Sequence, residues 1–311
     1  MEEIVIVRTG EIALKSGGPR IDFEQTLFSN IMNFLSNKGI GGTLFKTRSG
    51  RIVARVPEGR GREACAVISR VFGVASVSPA IELDFSPLEA LLGKCLEEVK
   101  TVGRTFAVRA KRAGKLPFTS QEFAAALGGE ILEKFPEAKV DLTNPESEIF
   151  VDLREDASYI YFERIPGAGG IPYGIEGRAL VLLDGSGESV LAGLEAAKRG
   201  CSLEFFAPAD KGRKSAEILG RALDFFPKKK LRVSVLAAGA RPEEIALARG
   251  CMAIVTGKSS GAPEREFGIL ELCPLSFLSR GEIGRLGEKY FSENQAEVVE
   301  RENFFEVARA Q

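Results

Sequence analysis

The sequence predicts a multidomain chain, α+β in its first half and α/β in its second. Three observations carry this. At 311 residues the chain is long enough for two or three domains. Up to residue 166 its apolar pattern mixes strands and helices in irregular order. Beyond residue 177, apolar strands alternate with helices, the pattern of a parallel sheet covered on both faces.

The elements follow in order. Residues 4–7 read as a short buried strand. Asp22 is expected to cap a helix that carries Phe23, Leu27, Ile31 and Leu35 at helical spacing and stops at Gly39. Residues 44–56 read as two strands turning at Ser49-Gly50, and a helix over 62–72 ends at Gly73. This β-α-β-β-α order defines an α+β domain at 1–75. In the next unit, 76–166, Ser86-Pro87-Leu88-Glu89 opens a helix with Ser as N-cap, Pro first and Glu third. Residues 105–111 alternate, with Phe106, Val108 and Ala110 on one face and Arg109 and Lys111 on the other. Thr119 and Glu122 have capping-box spacing and open a helix that ends before Pro136. Strands near 139–142, 149–153 and 159–162 complete the unit. Residues 167–177 hold five glycines and one proline and read as a linker.

The α/β domain, 178–311, then reads as strand 180–183, a helix to 199, strand 203–206, helix 215–226, strand 231–236 and helix 242–249. Strands 253–255 and 268–272 and a helix 282–290 capped by Ser279 follow. Ligands of such sheets bind outside the carboxyl ends of the strands. That places residues 184–189 and 256–261 at one edge.

Composition limits the chemistry. The net charge is −1, so a nucleic-acid site must come from local clustering. There is no histidine, which excludes a Ser-His-Asp or Cys-His mechanism. The five cysteines, Cys65, Cys95, Cys201, Cys251 and Cys273, form no C-x-x-C pair, which argues for a reducing compartment and against a metal site. The N-terminal pattern is not that of a signal peptide, and no apolar run approaches the roughly 20 residues that span a bilayer. A cytoplasmic protein with no membrane partner is expected.

The loop Asp184-Gly185-Ser186-Gly187-Glu188-Ser189 joins an apolar strand to an amphipathic helix, the construction of a phosphate cradle. Asp184 and Glu188 place two negative charges there. At 4 Å and an effective dielectric near 20, like charges cost roughly 4 kcal/mol, about a thousandfold in affinity. The alternative is a strand–helix turn whose glycines serve geometry alone. Residues 104–115 hold Arg104, Arg109, Lys111, Arg112 and Lys115 with no acid between them. This is a candidate phosphate-contacting run, or else a solvated strand face. Thr256-Gly257-Lys258-Ser259-Ser260-Gly261 lacks the upstream glycine of a Walker loop but lies at a strand end. Cys201 and Cys273 read as structural cysteines.

Together these segments resemble the tRNA 4-thiouridine sulfurtransferase family. The resemblance rests on Arg8-Thr-Gly-Glu-Ile-Ala-Leu-Lys15 with Phe23-Glu24, and on residues 71–79. It rests also on Phe106-Ala-Val-Arg-Ala-Lys-Arg112, residues 118–120, Val140-Asp-Leu-Thr-Asn-Pro145, residues 169–177, the Thr256 motif and Cys273-Pro-Leu275. It implies an N-terminal ferredoxin-like domain, a THUMP RNA-binding domain and a Rossmann-like PP-loop domain. The implied activity is adenylation of a tRNA uridine by ATP with Mg2+, then displacement of AMP by sulfur. A sulfur-donor protein and a homodimer are implied with it. Carried over residue by residue, nucleotide contacts fall on Gly185, Ser186, Ser189 and Gly257, with Leu182, Leu183, Phe206 and Arg241 toward adenosine.

The chain also departs from the family. Where the PP-loop pattern is Ser-Gly-Gly-x-Asp-Ser, it keeps only Gly185 and Ser189. A Gln-Val-Ala-Ser segment is replaced by Ala262-Pro-Glu-Arg265, and the late sulfur-carrying cysteine has no counterpart. No catalytic residue is therefore assigned. Two functions stay open: a tRNA sulfurtransferase, and a catalytically inactive tRNA-binding protein whose last domain is a scaffold or nucleotide sensor.

Overall fold

The computed structural model describes residues 2–10, 18–84, 87–259, 269–293 and 296–309. In chain order these form β1 (Glu2–Thr9), α1 (Gly18–Asn37), β2 (Thr43–Lys46), β3 (Ile52–Pro57), α2 (Gly61–Ile68), β4 (Val74–Leu83), α3 (Leu88–Glu98) and β5 (Thr105–Arg112). Then come α4 (Ser120–Lys134), β6 (Lys139–Val140), β7 (Ser147–Leu153), β8 (Ser158–Tyr161), β9 (Ile165–Pro166), β10 (Arg178–Leu182), α5 (Gly187–Lys198), β11 (Ser202–Pro208) and α6 (Gly212–Arg221). A 3₁₀ turn (Leu223–Phe225), β12 (Lys230–Leu236), α7 (Pro242–Ala248), β13 (Ala253–Val255), β14 (Leu270–Leu272), α8 (Arg280–Tyr290), β15 (Ala296–Arg301) and β16 (Phe304–Arg309) end the chain. Two compact units result. One is Met1–Arg8, Gly39–Ser69 and Ser76–Pro166; the other is Thr9–Lys38, Arg70–Ala75 and Gly167–Gln311.

The first unit is one sheet, β2-β3-β1-β4-β8-β7-β5-β6, with β9 paired to β4. β5 runs parallel to both β6 and β7. The alternation read in residues 105–111 holds: Phe106 is buried among Leu91, Phe123, Leu127 and Ile131 of α3 and α4. The capping box on α4 is complete, Thr119 accepting from Glu122 N and Glu122 from Thr119 N. Pro87 precedes α3 rather than starting it, and Ser86 lies outside the described residues. β4 was not expected from the sequence, and it holds Pro79, a residue that strands carry only where no ladder donor is needed. Pro79 falls between the stretch paired to β9 (76–77) and the stretch paired to β8 (81–83), so on that side no ladder donor is needed there.

The second unit holds the sheet β14-β13-β10-β11-β12-β16-β15. The first five strands are parallel; β16 is antiparallel to β12 and to β15. Strand order reverses between β10 and β13, the switch point at which such sheets bind ligands. β10 is apolar without alternation because both its faces are covered. Ala179 and Val181 join one core with α5 and α6; Leu180 joins Phe206, Ala246 and Ile254 on the other. The β15–β16 hairpin was missed because its turn, Glu302-Asn303, has none of the glycine chemistry that marks hairpins.

α1 begins at Gly18, so Asp22 lies inside the helix and does not cap it. Its expected face is correct: Phe23, Leu27, Ile31 and Leu35 are buried. The glycine-rich segment 167–177 is tied down. Ile171 N donates to Lys198 O, and Gly174 N and Glu176 N both donate to Gly200 O. The buried Tyr173 hydroxyl accepts from Leu203 N. Gly170 has φ +73°, and a Cβ there would stand 2.2 Å from Lys198 O. Gly170→Ala is expected to cost about 1–3 kcal/mol, read as a lower denaturant midpoint at unchanged m-value.

Candidate nucleotide cradle and RNA-facing surface

In the second unit, β10 delivers the chain to the cradle. Leu183 N donates to Phe206 O at 2.8 Å, which pins the strand end. Gly185 follows at φ +81°, a left-handed turn that favours glycine. Ser186 is the N-cap of α5 and accepts from Ser189 N at 3.2 Å. Asp184 Oδ1 accepts from both Ser186 N, at 2.9 Å, and Ser186 Oγ, at 2.6 Å. Burial pushes the Asp184 carboxyl up, but the Ser186 and Ser189 hydrogen bonds outweigh it and hold the group below the usual aspartate range.

The loop therefore carries its own anion. Two of the N–H groups that would face a phosphate are taken, one by the Asp184 carboxylate and one by the Ser186 hydroxyl.

The two expected edge loops do meet. A Cβ on Gly257 would stand 2.6 Å from Ser189 N, so the chain after β13 packs against the first turn of α5. Gly257 serves that close approach and does not hold an open space. Thr256 Oγ1 donates to the buried Glu271 at 2.9 Å, and Lys258 pairs with the same carboxylate at 3.1 Å. Ser260, Gly261 and 262–265 lie outside the described residues.

Of the residues read toward adenosine, Leu182 and Phe206 share one face of the sheet. Leu183 lies in the opposite core, and its backbone N–H is spent on Phe206. The Arg241 guanidinium is held by Glu243 at 2.7 Å and Glu244 at 3.3 Å. Sequence reasoning missed Lys211 and Lys214, whose side chains lie 3.6 Å from a Cβ built on Gly185. The signal was Lys211-Gly212-Arg213-Lys214 opening a helix directly after a strand.

In the first unit the basic run is largely paired. Arg104 meets Glu146 at 3.0 Å and Arg109 meets Glu148 at 2.9 Å. Arg112 donates to the carbonyls of Leu116 and Phe118, both at 3.0 Å, and so holds the following loop. Lys111 and Lys115 are exposed and form no ion pair among the described residues. Spacing alone could not reveal this, because the acids come from β7 and the turn before it.

Beside Lys111 a groove of about 670 Å³ runs between β5 and α4. It is floored by Val108, Ala124, Gly128 and Gly129 and rimmed by Val140 and Leu142. No atom lies within 4 Å of a Cβ built on Gly128 or Gly129, so the space above them is open.

The cysteines are all free thiols. Burial pushes Cys65 and Cys95 up to about 12, with nearby glutamates adding to it, and burial also raises Cys201 and Cys251. Among the described residues, no group of three or more Cys, Asp or Glu side chains is placed to hold a metal ion.

Residues 4–78 match the ThiI ferredoxin-like domain and residues 85–163 the THUMP domain. The chain is 38% identical over 208 residues to a probable tRNA sulfurtransferase of Methanothermobacter thermautotrophicus, covering 65% of this chain and 51% of that one. It spans about half the length of the curated relatives it matches. A crystal structure from Pyrococcus horikoshii Ot3 superposes with a TM-score of 0.76 at 29% identity, covering 92% of this chain and 99% of that one. A 4-thiouridine synthetase–RNA complex with bound ATP superposes with a TM-score of 0.72 at 26% identity, covering 93% and 85%. The chain thus carries a ThiI ferredoxin-like domain and a THUMP domain followed by a Rossmann-like parallel sheet, and over these it is similar to tRNA sulfurtransferases.

Proposed function

We propose that this chain binds tRNA through its first unit and keeps, in its second, a nucleotide-binding fold whose phosphate cradle is closed. The observation that carries this is the Asp184 carboxylate, bonded to both N–H and hydroxyl of Ser186. The groove beside β5 supports the RNA half. Its apolar floor suits stacked bases, and Lys111 on its rim suits a phosphate. On this reading the domains work as 1–75, 76–166 and 178–311 with 167–177 between them, in the cytoplasm.

Because Arg104 and Arg109 are shared with glutamates and Arg112 holds a loop, the free lysines dominate the ionic contacts. Lys111→Ala with Lys115→Ala is expected to reduce the slope of log K against log salt for bulk tRNA by about two. Arg112→Ala is expected to leave the slope unchanged. A slope unaltered in the double lysine variant removes this surface from the interface.

The deciding experiment is calorimetry of ATP·Mg on the purified chain, with and without bulk tRNA. Retained tRNA binding with ATP weaker than millimolar supports the closed cradle. Micromolar ATP binding overturns it and favours an active sulfurtransferase. That second reading is supported by the similarity to the ATP-bound synthetase. It places nucleotide on Gly185, Ser186 and Ser189, with Leu182 and Phe206 toward adenosine, and it requires a sulfur donor, with a second copy of the chain as a further partner.

A further inference from the structure

The first unit holds a second cavity on the other side of β5. Arg109 and Lys111 share one face of the sheet with Glu148 and Phe150 of β7 and Tyr161 of β8. The opposite face is the one packed against α3 and α4. Over the first face lies a cleft of about 500 Å³, walled by Arg109, Lys111, Arg164 and three glutamates. Its floor is the Phe150 and Tyr161 rings, stacked with centroids 5.1 Å apart. β6 pairs only with Thr105 and Phe106, so beyond them β5 is the rim between this cleft and the groove beside α4. Arg109 and Lys111 border both.

The charges in the cleft do not balance. Each glutamate is met by an arginine: Glu146 by Arg104 at 3.0 Å, Glu148 by Arg109 at 2.9 Å and Glu163 by Arg62 at 2.9 Å. Lys111 and Arg164 are exposed and form no ion pair among the described residues. Arg164 lies over the Phe150 ring, 5.7 Å from its centroid. Arg8 lies over the Tyr161 ring at 4.6 Å, and it too pairs with no acid among the described residues. Burial lowers the Arg8 guanidinium, and the neighbouring Arg51 and Arg164 charges add to this. Arg51 is offset by Asp152; Arg8, Arg164 and Lys111 have no such offset. Three positive charges gathered around one cleft repel one another until an anion enters.

We propose that this cleft takes the 5′-terminal phosphate of an RNA strand, with Arg164 and Lys111 on its oxygens and Arg8 adding charge beside Tyr161. This rests on the reading that the first unit binds tRNA with bases in the groove. The two cavities differ in character across one strand: the groove is apolar and suits bases, the cleft is ionic and suits phosphate. An internal diester carries one negative charge. A terminal monoester carries nearly two at neutral pH, on three acceptor oxygens, and so matches the excess of cations more closely.

The test uses the full chain and bulk tRNA, intact or with its 5′-phosphate removed by phosphatase. Lys111 borders both cavities, so the exposed Arg164 is the discriminating position, as Arg164→Gln. Wild type is expected to bind intact tRNA about fivefold more tightly than the phosphatase-treated form. Arg164→Gln is expected to bind the two forms within about twofold of each other, and to match wild type on the treated form. AMP, which carries the same monoester, is expected not to displace tRNA at equal concentration. A wild type indifferent to the 5′-phosphate, or an Arg164→Gln chain that keeps the preference, overturns the proposal. Equal weakening of both forms in Arg164→Gln assigns the cleft to an internal diester and overturns it too. Displacement by equimolar AMP moves the site to a free mononucleotide, with the same consequence. Failure of the tRNA reading is distinct, since then neither form of tRNA binds the wild type.

Discussion

Asp184→Ser is expected to tighten ATP·Mg binding by at least about fivefold, and by up to about a thousandfold. The lower figure is a like-charge interaction of about 1 kcal/mol at 4 Å in water. The upper is about 4 kcal/mol at an effective dielectric of 20. Asp184 is exposed, which favours the lower part of that range, but its carboxylate is also the acceptor that occupies Ser186 N and Oγ. Removing it frees two donors as well as a charge. Serine retains a short side chain for the turn, so Ser186 keeps its cap on Ser189 N. Glu188→Asp, on the exposed first turn of α5, adds little because it moves a charge without removing it. The measurement is calorimetry on the single and double variants. Equal weak affinity in wild type and Asp184→Ser means the cradle is lost more broadly than one carboxylate, and the closed-loop reading goes with it.

The sequence carried the parts of this site that depend on backbone periodicity. The strand–loop–helix at 178–198, the capping box at Thr119 and the alternation of β5 were legible because each is specified within about a dozen residues. The charge balance was not. Arg104 and Arg109 looked free because Glu146 and Glu148 reach them across the β5–β7 pairing, some 40 positions away in sequence. Lys211 and Lys214 were overlooked for the converse reason. They become relevant only because β11 lies beside β10, which brings α6 against Gly185. Leu183 shows the limit of carrying residues over by position: its side chain is core, and only its backbone could meet a ligand.

The helix α1 shows the same limit at the level of domains, and it leads to the second large effect. α1 lies inside the span that matches the ThiI ferredoxin-like domain, yet by contacts it belongs with the C-terminal sheet. Asp224, in the 3₁₀ turn before β12, is the polar joint within that unit. Its carboxylate meets Lys38 at 3.1 Å, Arg70 at 2.8 Å and Arg309 at 3.0 Å. Three segments distant in sequence thus share one acceptor. Burial alone would raise the Asp224 carboxyl, but the Arg309 and Lys38 hydrogen bonds and the surrounding cations win and lower it.

A depressed folded value stabilises the protein above the unfolded value and loses that contribution as pH falls through the folded one, here from about pH 5 downward. Breaking a buried pair costs about 3–5 kcal/mol. Lys38 and Arg70 are each about a third exposed or more, so solvent screens part of it. Asp224→Ala is therefore expected to cost about 2–3 kcal/mol at neutral pH and much less near pH 3. Asp224→Asn, which keeps an acceptor but not the charge, falls between. Urea midpoints across pH decide it, with amide exchange as the local readout. In Asp224→Ala, α1 and residues 70–75 are expected to exchange ahead of β10 and β11. An Asp224→Ala deficit that stays constant from pH 7 to pH 3 means the joint is held by packing and not by charge.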